Sequence, residues 1–348
     1  MVRLTLDLTG VTPLTRMQTE HLADLAGRFS SRILFEHRSR IINGKSMLGL
    51  LSLGDTGGEA VDLICDGPDE EAAARAIKEN LLRGEAPPKS AADAWVLMQR
   101  VKDKFSAILD DNLVGIYLHG SLAAGCFRWE HSDIDFLTVV KKEPSLRVKT
   151  VLLSALREIE KDAPPKGVEM SVLLQEDCRN IQYPMPYVLH YSSGHRKDYD
   201  QDPRAFCERM HGTDPDLTAH ILCLHAWGRP VLGPDILRVF DQVKREDALR
   251  AIRHDAADAR EQLNENPIYY VLNLCRAIAY LRQGLVLSKK DGGEWALKEA
   301  PQEYQPLIQA ALNAYASGLD MTYDEKQAED FCLDALDEIE GATTEENK

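Results

Sequence analysis

The sequence predicts an α+β protein with more than one domain, and three observations lead to this prediction. The chain has 348 residues, which exceeds one typical domain and indicates two or three. Strand-like and helix-like segments alternate from the start up to a break rich in glycine and proline. From Asp216 onward, apolar residues recur at three-to-four spacing, which is typical of helices.

The first domain is predicted over residues 1–88. Arg3 to Leu8 alternates like a strand, and a helix is predicted from about Met17 to Phe29. The segments ILFEHR, RIINGK and EAVDLICD predict three more strands, while SMLGLLSL and DEEAAARAIKENLL predict two more helices. This β-α-β-β-α-β-α order predicts an open-faced β-sandwich, with helices on one face of the sheet. The segment RGEAPPKSAADAW ends the domain.

A second domain is predicted over residues 89–240. A helix at Ala91–Asp110 leads into the strand LVGIYLH, a turn and short helix at GSLAAG, and the strand IDFLTVV. A helix at Leu146–Asp162 and the strand VEMSVLL follow, and then IQYPMPYVLHYSSGH, which is predicted to be irregular. An α-helical bundle is predicted over residues 241–342, and a frayed tail over 343–348.

The charge of the chain bears on its partners. A net charge of -15 argues against a nucleic acid, because binding to phosphate backbones needs a basic surface. Residues 1–90 carry a net charge of only -2, so the remainder carries -13. This acidity either attracts a cationic ligand or serves solubility.

The composition also bears on the compartment. No apolar run approaches the roughly 18 to 20 residues that a membrane span requires. The first residues, MVRLTLDLTG, resemble a strand rather than a signal peptide. Seven scattered cysteines without a CxxC pair favour free thiols over disulfides or zinc ligands. We therefore expect a cytoplasmic protein without a membrane partner.

Two carboxylates stand one residue apart in the stretch YLHGSLAAGCFRWEHSDIDFLTVV. Strand side chains alternate between faces, so Asp133 and Asp135 point the same way, about 7 Å apart. They repel each other unless a divalent cation binds between them. Gly120 and Ser121, between a strand and the start of a helix, offer N–H groups and a hydroxyl to phosphate oxygens. Together these features predict a phosphate cradle beside a Mg²⁺ site, as nucleotidyl transfer requires.

A third carboxylate is needed to complete such a site or to deprotonate an acceptor hydroxyl. Glu169 is the candidate, because it lies in the apolar strand VEMSVLL, where an inward carboxylate is costly without a role. A lone GS or DxD is common in loops and carries little information. The ordered set of GS, SDID and a strand glutamate is much more specific.

These motifs resemble the DNA polymerase β-like nucleotidyltransferases, and among them the aminoglycoside adenylyltransferases that modify streptomycin and spectinomycin. The similarity continues through VEMSVL, DPDLTAHILCLHAWGRPVLGP and VLNLCRAIAYLRQGLVLSKKDGGEWAL, and covers about residues 91–340. It implies a nucleotidyltransferase domain and a helical domain that hold ATP and Mg²⁺ between them. It also implies that the enzyme transfers AMP to a small acceptor.

The resemblance assigns roles residue by residue. Asp133 and Asp135 match the Mg²⁺ ligands, and Glu169 matches the general base that also approaches the metal. The remaining nucleotide positions match Gly120, Ser121, Ser132, Arg276 and Lys289. From the residues alone, the last two of these could equally be charges on a solvated helix face.

The sequence departs from the family at the acceptor side. Gly194 or His195 stands where streptomycin modifiers carry a tryptophan, and Asn266 stands where they carry an acidic residue. Streptomycin is therefore not the expected acceptor, whereas spectinomycin-type acceptors, or an acceptor that is not an antibiotic, remain open. His190 and His195 are candidates for contacting the acceptor or are surface histidines.

The first domain resembles HPr, the phosphocarrier protein of the sugar phosphotransferase system. The segment from NGKSMLGLLSL to DEEAAARAIKENL carries the resemblance, and Ser46 matches the serine that is phosphorylated in Gram-positive bacteria. In place of the GxHARP loop the chain has GVTPLTRMQ, which puts Thr15 where the active-site histidine belongs. His21 falls inside the predicted helix, so we do not expect phosphoryl carriage. Ser46 is either a regulatory site or simply a helix cap.

Two hypotheses for function follow. In the first, the protein is an enzyme that transfers AMP from ATP to a hydroxyl of a small, cationic acceptor. In the second, it is a regulatory adaptor that binds a nucleotide, senses carbon status through the HPr-like domain with a protein partner, and has weak or no catalysis.

Overall fold

The computed structural model describes residues 1–9, 11–82 and 89–345. The chain forms two compact units, Met1–Lys89 and Ser90–Lys348. The predicted break between them, with Gly84, Pro87 and Pro88, lies outside the described residues. The further division predicted at residues 240 and 241 stays a prediction.

The described part of the first unit has the predicted order of elements. These are β1 (Val2–Leu6), α1 (Arg16–Gly27), β2 (Arg32–His37), β3 (Arg40–Asn43), α2 (Met47–Leu51), β4 (Val61–Asp66) and α3 (Glu70–Leu82). The strands form an antiparallel sheet in the order β1-β4-β2-β3. Alternate residues of the strands, such as Ile33 and Phe35, share one core with Leu22 of α1, Leu50 of α2 and Ile77 of α3. The first unit is therefore a sheet and three helices around a single core.

The second unit begins with a mixed sheet and its helices. In chain order its described elements are α4 (Ala91–Leu109), β5 (Leu113–Leu118), α5 (Gly120–Ala124), β6 (Ile134–Val140), α6 (Leu146–Glu160), β7 (Val168–Leu174), α7 (Gln175–Cys178), β8 (Met185–Tyr187), β9 (Leu189–Ser192), α8 (Arg196–Gln201), α9 (Pro203–Arg209), β10 (Gly212–Asp214), α10 (Asp216–Trp227) and β11 (Arg229–Leu232). The sheet order is β11-β5-β6-β7-β9, and β6 and β7 run parallel. Strands β8 and β10 form a separate antiparallel pair.

Opposite faces of the mixed sheet belong to different cores. Along β6, Ile134 and Phe136 are buried in the core that contains residues of α4 and α6. Leu137 and Val139 are buried in another core, together with Leu217 and other residues of α10. Because strand residues alternate between faces, odd-numbered positions of β6 face α10. This face carries the candidate active site.

Helices make up the rest of the described chain. They are α11 (Arg245–Ala256), α12 (Ala259–Gln262), α13 (Pro267–Gln283), α14 (Lys289–Glu299), α15 (Gln305–Ser317) and α16 (Glu325–Glu345). Their apolar residues share one core, and α13 packs against α14, α15 and α16. No described helix combines the length and the apolar character that a membrane crossing needs.

Three sequence predictions need correction. The segment predicted to be irregular contains β8 and β9, and β9 pairs with β7 at the edge of the sheet. The region predicted to be helical from Asp216 onward contains β11, whose Pro230 is tolerated because the strand lies at the other edge. Helix α16 continues to Glu345, three residues into the predicted tail, and residues 346–348 are outside the described chain.

A buried carboxylate joins α6 to the edge of the mixed sheet. The Glu160 side chain is only 1% exposed. It accepts hydrogen bonds from Arg157 at 2.5 Å, from the Tyr191 hydroxyl at 2.7 Å, and from Arg196 at 2.9 and 3.1 Å. Tyr191 lies in β9 and Arg196 begins α8. Glu160 therefore fixes β9 beside β7, the strand that carries Glu169.

Replacing Glu160 should destabilise the second unit. In Glu160→Ala, two arginines and a tyrosine lose their buried partner, so we expect a loss of about 3 to 5 kcal/mol in the free energy of unfolding. All four tryptophans lie after Ser90, so tryptophan fluorescence in a urea titration of the full chain reports on this unit alone.

The matched control is Glu158→Ala on the same helix. Its ion pair with Lys161 is exposed (69% and 68%), so the expected loss is below about 0.5 kcal/mol. Equal unfolding midpoints for the two variants would show that the Glu160 network adds no stability.

Candidate active site

Three carboxylates meet at the start of two neighbouring strands. Asp133 directly precedes β6, Asp135 lies in β6, and Glu169 lies in β7. The parallel register of the two strands sets Asp135 beside Glu169, on the face that α10 covers. One oxygen from each of the three side chains lies within 4.8 Å of the other two. The structure thus brings the predicted triad together.

The triad carries more negative charge than its surroundings offset. The pKa of Asp135 is raised well above its usual value by removal from water and by the charges of Asp133 and Glu169. The pKa of Glu169 is also raised, mainly by burial, although His220 acts in the opposite direction. Oxygen ligands in this arrangement fit a hard divalent cation such as Mg²⁺. Such an ion would supply the missing positive charge.

Gly120 makes room for the triad. Its φ of +63° is a left-handed conformation that favours glycine. A Cβ atom there would overlap the carboxylate of Asp135 and would lie 2.7 Å from its Cγ. The glycine of the GS motif is therefore required both for the turn and for the close approach of Asp135.

Ser121 and Ser132 lie at the same end of the site, with different hydroxyl environments. The buried Ser121 hydroxyl has no hydrogen-bond partner in the described chain, as expected for a group whose partner is a ligand. The Ser132 hydroxyl already accepts a hydrogen bond from the Arg128 N–H at 3.0 Å. Helix α5 has only five residues, so the cradle depends on this turn and hydroxyl rather than on a helix dipole.

Two cations line the same cavity. Arg276 donates to Asn273 at 2.6 Å and forms an ion pair with Asp255 at 3.5 Å. The Lys289 ammonium lies 4.2 Å from the centre of the Tyr269 ring. Burial and the charge of Arg276 lower the pKa of Lys289 to about 8. Both predicted phosphate contacts therefore face the cavity.

The cavity has a volume of about 400 Å³ and contains residues that the sequence analysis missed. Asp255 accepts hydrogen bonds from Tyr269 at 2.9 Å and from Asn273 at 2.6 Å, besides its pairing with Arg276. Tyr269, Asn273 and Arg276 lie on one face of α13, so their spacing of four and three residues was a readable signal. Asp255 lies on another helix, and no spacing could link it to them. Lys166, Asp216, His220 and Trp227 also line the cavity.

The three acceptor candidates do not line this cavity in the described chain. His190 lies in β9 on the same sheet face as Glu169, and its Nδ1 is 2.9 Å from the Ser171 hydroxyl. His195 lies in a short turn, with its Nδ1 bonded to Ser192. Asn266 is exposed just before α13.

Comparisons with known proteins show what the second unit resembles. Residues 238–338 match the family model described as "Aminoglycoside adenylyltransferase, C-terminal domain". The spectinomycin 9-adenylyltransferase of Enterococcus faecalis is 23% identical over 223 residues, which covers 63% of this chain and 86% of that protein. The chain is a homologue of the aminoglycoside adenylyltransferases. These relatives are adenylyltransferases, and the similarity supports the prediction of a nucleotidyltransferase.

A solved adenylyltransferase structure shares the fold of this chain over most of its length. The crystal structure of spectinomycin adenyltransferase from Enterococcus faecalis, obtained with ATP and spectinomycin, aligns with a TM-score of 0.59 and 20% identity. The alignment covers 71% of this chain and 99% of that chain. The fold is thus shared over that whole protein.

The first unit of this chain is similar to HPr, as the sequence predicts. Residues 18–82 match the family model described as "PTS HPr component phosphorylation site". The HPr-like protein Crh of Halalkalibacterium halodurans is 40% identical over 52 residues, which covers 15% of this chain and 62% of that protein. The match begins after Thr15, which caps α1 together with Gln18. His21 lies inside that helix.

We predict that Gly120→Ala weakens Mg²⁺-dependent ATP binding by at least about tenfold, because the new Cβ displaces Asp135. The matched control is Gly125→Ala. Gly125 has a similar φ of +77°, but a Cβ atom added there would meet no other atom within 4 Å. Both variants carry the backbone penalty of about 1 to 2 kcal/mol, and only Gly120→Ala adds the overlap. Calorimetric titration with ATP and Mg²⁺ distinguishes them, and equal losses of affinity would refute the steric role of Gly120.

We also predict that ATP affinity depends on pH through Lys289. Without nucleotide the ammonium is charged below a pKa of about 8 and neutral above it. A bound triphosphate favours the charged form, so affinity is constant below pH 8 and falls as the pH rises above it. Lys289→Arg keeps its charge and should remove this fall, as measured by titration from pH 7 to 9.5. The same pH dependence in both proteins would contradict the prediction.

Proposed function

We propose that this protein transfers AMP from ATP to a hydroxyl of a small, cationic acceptor and releases pyrophosphate. The observation that carries the proposal is the juxtaposition, across one cavity, of the triad, the unpartnered Ser121 hydroxyl and two cations. The relative from Enterococcus faecalis is an adenylyltransferase, and the matching crystal structure was obtained with ATP. Asp133, Asp135 and Glu169 would hold Mg²⁺.

The residues divide the chemistry among themselves. Glu169 takes the proton of the acceptor hydroxyl, and a raised pKa suits this role because it brings the base closer to neutrality. The hydroxyl oxygen then bonds to the α-phosphorus while the bond from that phosphorus to pyrophosphate breaks. Ser121 donates to a phosphate oxygen, and Arg276 and Lys289 stabilise the charge of the leaving pyrophosphate. Bound Mg²⁺ supplies positive charge at the reacting phosphate.

Acidic residues near the proposed base support the proposal of a cationic acceptor. Burial and the charges of Asp214 and Asp255 raise the pKa of Asp216, which lines the cavity. Asp214 and Asp216 also act on the pKa of Glu169, so they lie near the proposed base. A protonated amine near these groups would offset their mutual repulsion.

Among acceptors of this class, we propose spectinomycin-type compounds rather than streptomycin. Gly194 or His195 stands in place of the tryptophan of streptomycin modifiers and Asn266 in place of their acidic residue, and none of the three lines the cavity in the described chain. The relative named above is a spectinomycin 9-adenylyltransferase, which supports the same preference.

The HPr-like unit supports a second proposal, in which it serves as a docking or regulatory module for a protein partner. Ser46 caps α2, and its hydroxyl accepts a hydrogen bond from the Gly49 N–H at 3.1 Å. Phosphorylation of Ser46 would add negative charge at this end of the helix and change what the surface binds. In the adaptor version of this proposal, the second unit binds ATP without turnover.

Pyrophosphate release with ATP, Mg²⁺ and spectinomycin or streptomycin tests the proposed reaction. We expect turnover with spectinomycin, and a fall of about 10²- to 10⁴-fold in Glu169→Gln, because the general base is lost. Glu176→Gln, an exposed position just after the same strand, should keep the wild-type rate within about twofold. Tight ATP binding without pyrophosphate release on any hydroxylated acceptor would favour the adaptor.

A further inference from the structure

A histidine of α10 faces the proposed base across a short gap. The Nδ1 atom of His220 lies 3.9 Å from Oε1 of Glu169. The two side chains are 26% and 30% exposed, and both line the cavity. The separation is too long for a direct hydrogen bond. The gap between them therefore lies at the wall of the cavity.

The His220 ring is supported from behind. It stacks on the ring of His119, with the ring centres 4.8 Å apart and the planes inclined by 33°. His119 is buried, at 3% exposure, and its backbone N–H donates to the carbonyl of Asp135 at 3.0 Å. The platform under His220 thus belongs to the same backbone that carries the triad.

The dimensions of the gap fit one oxygen atom. An oxygen placed to the side of the line joining Nδ1 and Oε1 can lie about 2.8 Å from both, which is ordinary hydrogen-bond length. We propose that His220 and Glu169 together hold the attacking hydroxyl of the acceptor, and that His220 is a catalytic residue of the proposed transfer. This inference rests on the proposed function.

The two contacts have different tasks. The hydroxyl donates its hydrogen to Glu169, which takes the proton as the oxygen bonds to the α-phosphorus and pyrophosphate departs. His220 Nδ1–H donates to one lone pair of the same oxygen and leaves the other lone pair directed at phosphorus. Two fixed contacts define the direction of attack, which a single carboxylate cannot do.

The two histidines that the sequence suggested are less suited to this task. His190 and His195 have their Nδ1 atoms within hydrogen-bond distance of Ser171 and Ser192, and neither lines the cavity in the described chain. His220 therefore replaces them as the histidine expected to contact the acceptor.

Substitution of His220 by asparagine or by glutamine distinguishes the roles of its two ring nitrogens. Asn places an amide near the position of Nδ1, whereas Gln places it near Nε2. In full-length protein with ATP, Mg²⁺ and spectinomycin, we expect His220→Ala to lower kcat/KM for spectinomycin about 10- to 100-fold. His220→Asn should recover at least half of that loss on a logarithmic scale, and His220→Gln should not. The affinity for ATP with Mg²⁺ should stay within about twofold in all three variants.

The matched control is His225→Asn on the same helix. His225 lies outside the cavity, with Nε2 3.0 Å from the Asp241 carbonyl, and this variant should keep the wild-type kcat/KM. Wild-type kinetics in His220→Ala would overturn the inference while leaving the proposed transfer intact. Weakened ATP binding in His220→Ala, or equal losses in the Asn and Gln variants, would assign His220 a structural role and also overturn it. Absence of turnover in the wild-type protein would overturn the proposed function and this inference with it.

Discussion

Mutual repulsion among three carboxylates is the constraint on which the active-site region depends. Parallel pairing of β6 and β7 places Asp135 beside Glu169, and Gly120 lets the backbone pass close to Asp135. The cluster opposes folding, because removal from water and like charge raise the pKa values of Asp135 and Glu169. The cost is consistent with a site that is completed by a positively charged ligand. The cations on α13 and α14 line the same cavity as the triad.

Burial of opposite faces explains how the sheet supports that cluster. Even-numbered residues of β6 pack under α4 and α6, so this side of the strand is fully committed to the core. Odd-numbered residues of β6 are apolar at Leu137 and Val139, in the core shared with α10, and acidic at Asp135. The same face of β6 thus contributes an apolar side chain to the core at Leu137 and a carboxylate to the candidate active site at Asp135. The Glu160 network keeps the neighbouring edge strand in register.

Local sequence patterns were sufficient to predict much of the fold and the three carboxylates of the triad. Alternation and helical spacing predicted the elements of the first unit in order, and the SDID and VEMS segments predicted three residues that meet. Strands β9 and β11 were missed because both are short edge strands, and prolines in or beside them resemble loop signals. Asp255 and His220 were missed for another reason. Their contacts join separate helices and strands, and only tertiary packing brings them to the cavity.

The pairing of Asp255 with Arg276 has a consequence for how nucleotide would enter and leave. In the protein without nucleotide, the guanidinium group already has a carboxylate and an amide as partners. A phosphate would therefore compete for a charge that is in use, so binding is an exchange of anions rather than the filling of an empty position. A ligand with several negative charges, such as a triphosphate, competes well for this guanidinium group, and Asp255 can pair with it again when the ligand leaves. The aspartate is a built-in competitor that favours release after each reaction.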